Sequence, residues 1–306
     1  MWLLFLPELN STSLRSRLLT SPIFNPISIW LRIRDMAFDI DLYKERTARL
    51  RWDDLDLGSF STNPLDEGVL RCLRYMHDVE FHTVCYLRDL LLTPAHSDPL
   101  VTSFLSFWVY EEYWHGEALA AVIDAHGESS GSQRIAPMRL GLGAKDKIRP
   151  YIMSLASTLV GSDFVALHMS WGAVNELTTQ AGYAQLSQRA NNPVLSTLLS
   201  RIMKQEGMHI DFYCSQAKQR LESSNKARIL TRAALKKFWA PVGSGVMSGE
   251  ETAFLANFLF GDEFGMESVE RIDRRVDRLP GLAGLYLLQS AVTQVRSQAP
   301  VLVKTA

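Results

Sequence analysis

The stretch YEEYWHGEAL, Tyr110 to Leu119, sets Glu112 and His115 three residues apart inside an otherwise apolar segment. At about 100° per residue such a pair shares one helix face, so a carboxylate oxygen and an imidazole nitrogen can reach the same ion. Much later, QEGMHIDFY repeats the spacing with Glu206 and His209. Two helices that each carry Glu-x-x-His form half of a carboxylate-bridged two-metal site in a helix bundle, and such a site draws one more glutamate from each of two further helices. A chain obliged to bury that constellation needs four long helices with a charged residue inside each apolar stripe.

The periodicity supplies them. A first helix is predicted over Leu65 to Leu92, where Val69, Leu73, Met76, Glu80, Val84, Leu87 and Leu91 fall on one stripe and Asp78 falls on the opposite side with Arg71 and Arg74. A buried, unpaired carboxylate is costly, so Glu80 on that stripe needs a proton, a cation or a metal, the plain alternative being a buried ion pair. A second helix runs from Pro99 to about His126 and carries Glu112 and His115. A third is expected from Lys147 to Ala190 with a break near Gly161, and Glu176 is the only glutamate between Glu128 and Glu206. After Asn191, Asn192 and Pro193 the fourth helix carries Glu206 and His209 to about Glu222. The order along the chain is Glu, Glu-x-x-His, Glu, Glu-x-x-His.

Composition bounds the rest. With 306 residues, 47% of them hydrophobic, the chain can bury a large core, and a formal net charge of −1 gives no global attraction to nucleic acid or to an anionic membrane. Cys72, Cys85 and Cys214 are too far apart for a zinc ribbon or a Cys-x-x-Cys motif; an odd number of reduced core thiols fits a cytoplasmic protein. The segment 1–35 reads as an extension outside the helical domain, which is expected over 36–280, with 281–306 as a carboxy-terminal tail. MWLLFLPEL is too short and too interrupted by Pro7 to be a membrane span. His77 and His82 read as exposed or capping residues, and His168 as a core histidine.

The ligand order, and EEYWHG in particular, resembles the EE-x-x-HG helix of the soluble acyl-carrier-protein desaturases, which belong to the ferritin-like di-iron proteins. The resemblance covers roughly Asp66 to Pro241. It implies an all-α fold, a ferritin-like four-helix bundle with a di-iron centre, followed by additional carboxy-terminal helices. It further implies two Fe2+ ions held by Glu80, Glu112, His115, Glu176, Glu206 and His209, with Thr179 beside the oxygen-binding side. Glu111 matches an acid of the family that can bond a ligand histidine. The implied activity is oxygen-dependent insertion of a cis double bond into a fatty acyl chain bound to acyl carrier protein, with an electron donor such as ferredoxin and a homodimeric state. The sequence departs from the family at Gln205, where those desaturases place an aspartate that hydrogen-bonds the histidine of the second helix. Gln205 can accept through its amide oxygen but carries no charge, which keeps open another di-iron oxygenase, an N-oxygenase or hydroxylase of a small molecule, or an iron-binding bundle without catalysis.

Phe104, Phe107, Trp108, Met169, Trp171 and Tyr183 are the aromatic and sulfur side chains expected either in the core or along a substrate channel. The stretch NKARILTRAALKKFW, Asn225 to Trp239, collects Lys226, Arg228, Arg232, Lys236 and Lys237 without an acid. It is a basic helix suited to an acidic carrier protein.

Overall fold

The structure, a computed structural model, describes residues 38–298; the extension expected at 1–35 lies outside them. Among the described residues every regular element is helical. After a short helix α1 (Ile40–Arg46) come α2 (Glu67–Leu91), α3 (Pro99–Asp124), α4 (Gly131–Gly141), α5 (Gly143–Val160), α6 (Asp163–Ala190), α7 (Pro193–Ser223) and α8 (Asn225–Phe238). The chain closes with α9 (Gly249–Phe260), α10 (Glu263–Val276) and α11 (Leu287–Gln298). The four predicted long helices are α2, α3, α6 and α7. The third begins where the sequence expects a break: Gly161, at φ 75°, ends α5 and lets α6 start on its own axis.

Local chemistry sets the helix ends. Asp98 accepts from the backbone N–H groups of Leu100 and Val101 at 3.0 and 3.1 Å, and Asn192 does the same for Val194 and Leu195, with Pro99 and Pro193 next in line where a missing N–H costs nothing. Asn191 takes the left-handed conformation, φ 43°, that lets α6 stop and α7 turn back after two residues. Helices α2 and α3 pack as one such pair and α6 and α7 as another, and further contacts between α3 and α7 and between α2 and α6 close the group of four. The core between them is continuous and also takes in Tyr43, Leu50, Phe60 and Leu65 from the segment that precedes α2. The described residues beyond 280 include buried ones, Leu282, Leu288 and Val292, and Asp273 accepts from the backbone N–H groups of Leu288 and Gln289.

The side of α2 that carries Asp78 is covered: Asp78 is 2% exposed, 2.9 Å from His77 Nδ1 and 2.7 Å from Arg134 Nε. The reason is α4, which lies over that side of α2 and brings Arg134 with it. His77 is buried too, and its Nε2 accepts from the N–H of Gly131, the first residue of α4, so it caps that helix.

Candidate metal centre

Each of the four long helices delivers its acidic residue to one place. Side-chain atoms of Glu80, Glu112, His115 and Glu206 all lie within 4.8 Å of one another, as do those of Glu112, Glu176, Glu206 and His209, and all six residues are buried. Glu112 and Glu206 belong to both groups. The arrangement therefore has two halves, each with one glutamate of its own and one histidine, joined by two shared carboxylates.

The surrounding residues aim both imidazoles. His115 Nε2 lies 3.0 Å from Gln205 Oε1. The amide orientation follows from its other end, where Gln205 Nε2 donates to Ala48 O at 2.9 Å and to Glu111 Oε1 at 3.1 Å. His209 Nε2 lies 2.8 Å from Glu111 Oε2, which also accepts from the Tyr43 hydroxyl at 2.8 Å. With both Nε2 atoms donating outward, both Nδ1 atoms face the carboxylates. His115 Nδ1 is 3.5 Å from Glu112 and 3.4 Å from Glu206, and His209 Nδ1 is 3.2 Å from each of the same two. Trp108 Nε1 donates to Glu176 Oε1 at 3.1 Å, and the Tyr183 hydroxyl pairs with Glu80.

Gathering four carboxylates in a buried site sets their charges against one another and shifts their proton affinities apart. Burial, reinforced by the charge of Glu112, raises Glu80 well above the usual carboxylate range, and burial with the charges of Glu206 and Glu112 does the same to Glu176. For Glu112, burial works against ionisation, but hydrogen bonds with Glu80, His115 and His209 outweigh it and hold the group low. Glu206 is likewise low, since bonds with the two histidines overcome burial and the charge of Glu112. Burial disfavours the charged imidazoles as well, yet bonds to Glu112 and Glu206 push His115 up to about 9, and the Tyr43 oxygen, Glu111, Glu112 and Glu206 raise His209.

The donor set fits divalent cations. His115 Nδ1, Glu112 Oε1 and Glu206 Oε1 are buried and approach other members of the set at 3.2 to 3.5 Å without a well-directed hydrogen bond, an unusual concentration of poorly met acceptors and donors at one point. Hard carboxylate oxygens mixed with imidazole nitrogens suit first-row metals such as iron, manganese or zinc.

Two cavities meet at this centre. One, of about 60 Å3, is almost wholly apolar; it runs between α2 and α6 and ends among Leu255, Ala256, Leu259, Leu288 and Val292 of α9 and α11. The other, of about 410 Å3, is mixed in character and reaches Arg149 of α5 and the 243–246 loop past Trp108, Asn175 and Glu176. Both are lined by Glu80 and Thr179. Of the side chains considered for a channel, Tyr183 lines the first cavity and Trp108 and Trp171 the second, while Phe104 and Met169 are fully buried core residues. His82 is half-buried on the wall of the second cavity. His168 is a core histidine whose Nδ1 lies 3.0 Å from the Tyr86 hydroxyl and which burial holds neutral, its pKa lowered to about 3.

The basic helix α8 is more engaged with its own chain than its composition implies. Arg232 donates to the carbonyls of Gly281 and Ala283, Arg228 to that of Leu221, and Lys226 lies 3.4 Å from Asp163. Lys236 and Lys237 at its end remain exposed. Tyr43, Trp108 and Tyr183 are the supporting residues that sequence reasoning did not assign to the centre. Trp108 carried a signal, because an indole N–H on an apolar stripe one turn before Glu112 needs an acceptor. No protein-family model, no curated protein and no solved structure matches this chain.

Proposed function

We propose that this chain is a ferritin-like di-iron oxidoreductase that uses oxygen to introduce a cis double bond into a fatty acyl chain presented by an acyl carrier protein. Glu80, Glu112, His115, Glu176, Glu206 and His209 would hold the two ions. The observation that carries the reading is the meeting of the six-residue centre, at Glu80 and Thr179, with an almost wholly apolar cavity. By a measure in which one water fills about 10–15 Å3, its 60 Å3 is room for roughly four to six groups of that size. An extended alkyl tail fits such a space and a compact polar metabolite does not.

Iron bound at this centre supplies reductive oxygen activation and removal of hydrogen from an unactivated methylene. The balance is two electrons from an external donor, such as a ferredoxin, with two protons, and two hydrogens from the substrate, so that one dioxygen leaves as two waters. The chain's own part is positioning. Gln205 and Glu111 keep Nδ1 of each histidine turned inward, Trp108 fixes Glu176, and Tyr183 fixes Glu80. Thr179 presents its side chain at the junction of the two cavities, beside the carbon pair of a tail lying in the apolar one. Leu259 and Val292, which line the apolar cavity, would pack against the tail and keep water from it.

A second reading, hydroxylation or N-oxygenation of a small molecule, draws support from the polar groups of the larger cavity, among them Asp89, Asn175 and Arg149. The test is incubation of the iron-loaded, reduced protein with oxygen and a series of saturated acyl carrier proteins, with mass spectrometry of the released chains. Loss of two hydrogens, abolished for the longer chains by Ala256→Trp at unchanged iron content, is the expected result. Oxygen insertion into small amines or aromatics with no acyl product would replace the first reading by the second.

A further inference from the structure

Helix α5 is amphipathic the wrong way round. It turns Pro150 and Ser157 to the protein, while Ile148, Tyr151, Ile152, Leu155 and Leu159 are 55, 73, 63, 67 and 80% exposed. At about 100° per residue those five span an arc of about 100°, opposite the two buried residues. The arc leaves on the order of 700 Å2 of apolar surface in water, beyond the ~300–600 Å2 of the largest patch on an ordinary monomer. Charge is arranged around it. Lys147 and Arg149, both exposed, stand about 40° and about 60° outside its two edges, whereas Asp146, the one acid of the helix, is on the inward side and pairs with Arg88 at 3.1 Å.

The neighbouring helix extends the pattern. Helix α8 runs back along α5: Lys226 Nζ reaches the carbonyl of Val160, the last residue of α5, at 3.3 Å, and Phe238, the last residue of α8, lines the mixed cavity together with Arg149. The exposed side of α8 carries Ile229, Lys236 and Lys237, and its sequence contains no acid. A folded protein partner needs about one hydrogen bond per 100–200 Å2 of interface, yet the apolar arc offers only the Tyr151 hydroxyl, at its edge. A bilayer asks for none from the arc, receives a tyrosine ring at headgroup level and draws flanking lysines to anionic headgroups. A helix of this kind lies in the interface plane with its apolar side sunk about 5–10 Å. Among the described residues no helix is long and apolar enough to cross a membrane, and the contact inferred is a surface one. We propose that α5, flanked by the lysines of α8, is an interfacial anchor that docks this protein on an anionic lipid surface. Arg149 belongs both to the margin of the anchor and to the wall of the mixed cavity, which sets that approach to the metal centre beside the lipid.

The full chain is expected to sediment with vesicles made of phosphatidylglycerol and phosphatidylcholine in equal parts, to bind phosphatidylcholine alone far more weakly, and to be released as salt rises. Lys147→Gln, Lys236→Gln and Lys237→Gln together should lower the partition coefficient about a hundredfold, at about fivefold for each lysine. Ile152→Glu combined with Leu155→Glu, in a protein of unchanged helical circular dichroism, should abolish cosedimentation. Depth is read separately. The emission that Tyr151→Trp adds, taken as the difference from the unsubstituted chain with its seven tryptophans, should shift to the blue on the vesicles and be quenched by lipids brominated in the acyl chain. A chain that ignores the anionic vesicles overturns the proposal, as does equal binding to the neutral ones, or binding that survives either combined variant. If instead an acyl carrier protein or a second copy of the chain is held through Ile152 and Leu155 while vesicles are not, the face belongs to that partner and the lipid reading is overturned.

Discussion

Loading the centre with metal should expel about four protons for every two divalent ions taken up at neutral pH. In the metal-free site burial and the neighbouring carboxylates favour protonated Glu80 and Glu176, the surrounding carboxylates favour charged His115, raised to about 9, and charged His209, and hydrogen bonds favour ionised Glu112 and Glu206. The six side chains then sum to zero charge. Ligation needs all four carboxylates ionised and both imidazoles neutral at Nδ1, a set of charge −4 that two divalent ions balance. Two carboxyl protons and two imidazolium protons must leave. The assay is anaerobic titration with ferrous iron in buffers of different ionisation enthalpy, the slope of observed heat against buffer enthalpy giving the proton number. With four protons exchanged for two ions, lowering the pH by one unit weakens each ion by about a hundredfold, and His115→Ala lowers the release to about three. Release of one proton or fewer, or a slope unaltered by His115→Ala, would refute both the charge accounting and the assignment of these six residues as one site.

The same titrations bear on stability without metal. Glu80, Glu176, His115 and His209 all have folded values raised above their unfolded ones, so each contributes stability that is full below the unfolded value and lost as pH rises through the folded one. The melting temperature of the metal-free protein should fall between pH 6.5 and about 9, with on the order of 3 kcal/mol at stake from His115 alone, while the loaded protein stays level; a metal-free melt flat across that window contradicts this. Gln205→Leu removes the acceptor of His115 Nε2, and equilibrium dialysis should show metal affinity lower by about 10- to 100-fold with the fold intact. A Cβ at Gly172 would lie 2.3 Å from the ring of the fully buried Tyr213, so Gly172→Ala should cost about 1–3 kcal/mol in urea unfolding. Gly116→Ala meets Phe81 at 2.8 Å, but that ring is half-buried and can yield, so its cost should be the smaller of the two.

The six residues of the centre were legible because each advertises a local contradiction. A glutamate or histidine on an apolar stripe at helical spacing cannot be stable alone, and Glu80, Glu112, His115, Glu176, Glu206 and His209 all break the pattern of the helix that carries them. The long helices were legible for a related reason: Asp98-Pro99 and Asn192-Pro193 mark their starts with side chains whose capping geometry is set within three residues. The burial of Asp78 was not legible because it is decided by α4, more than fifty residues away, and a single helix wheel cannot register what another element will cover. Tyr43 was out of reach on the same ground, since α1 has little pattern of its own and gains its meaning only from Glu111, 68 residues on. The apolar cavity is the extreme case. Its walls come from α2, α6, α9 and α11, and no residue among Leu255, Leu259, Leu288 and Val292 differs in type from ordinary core. A polar residue in the wrong place is visible in one segment, whereas an empty space is a property of four segments at once. A candidate metal site is therefore easier to read from sequence than the shape of the cavity beside it.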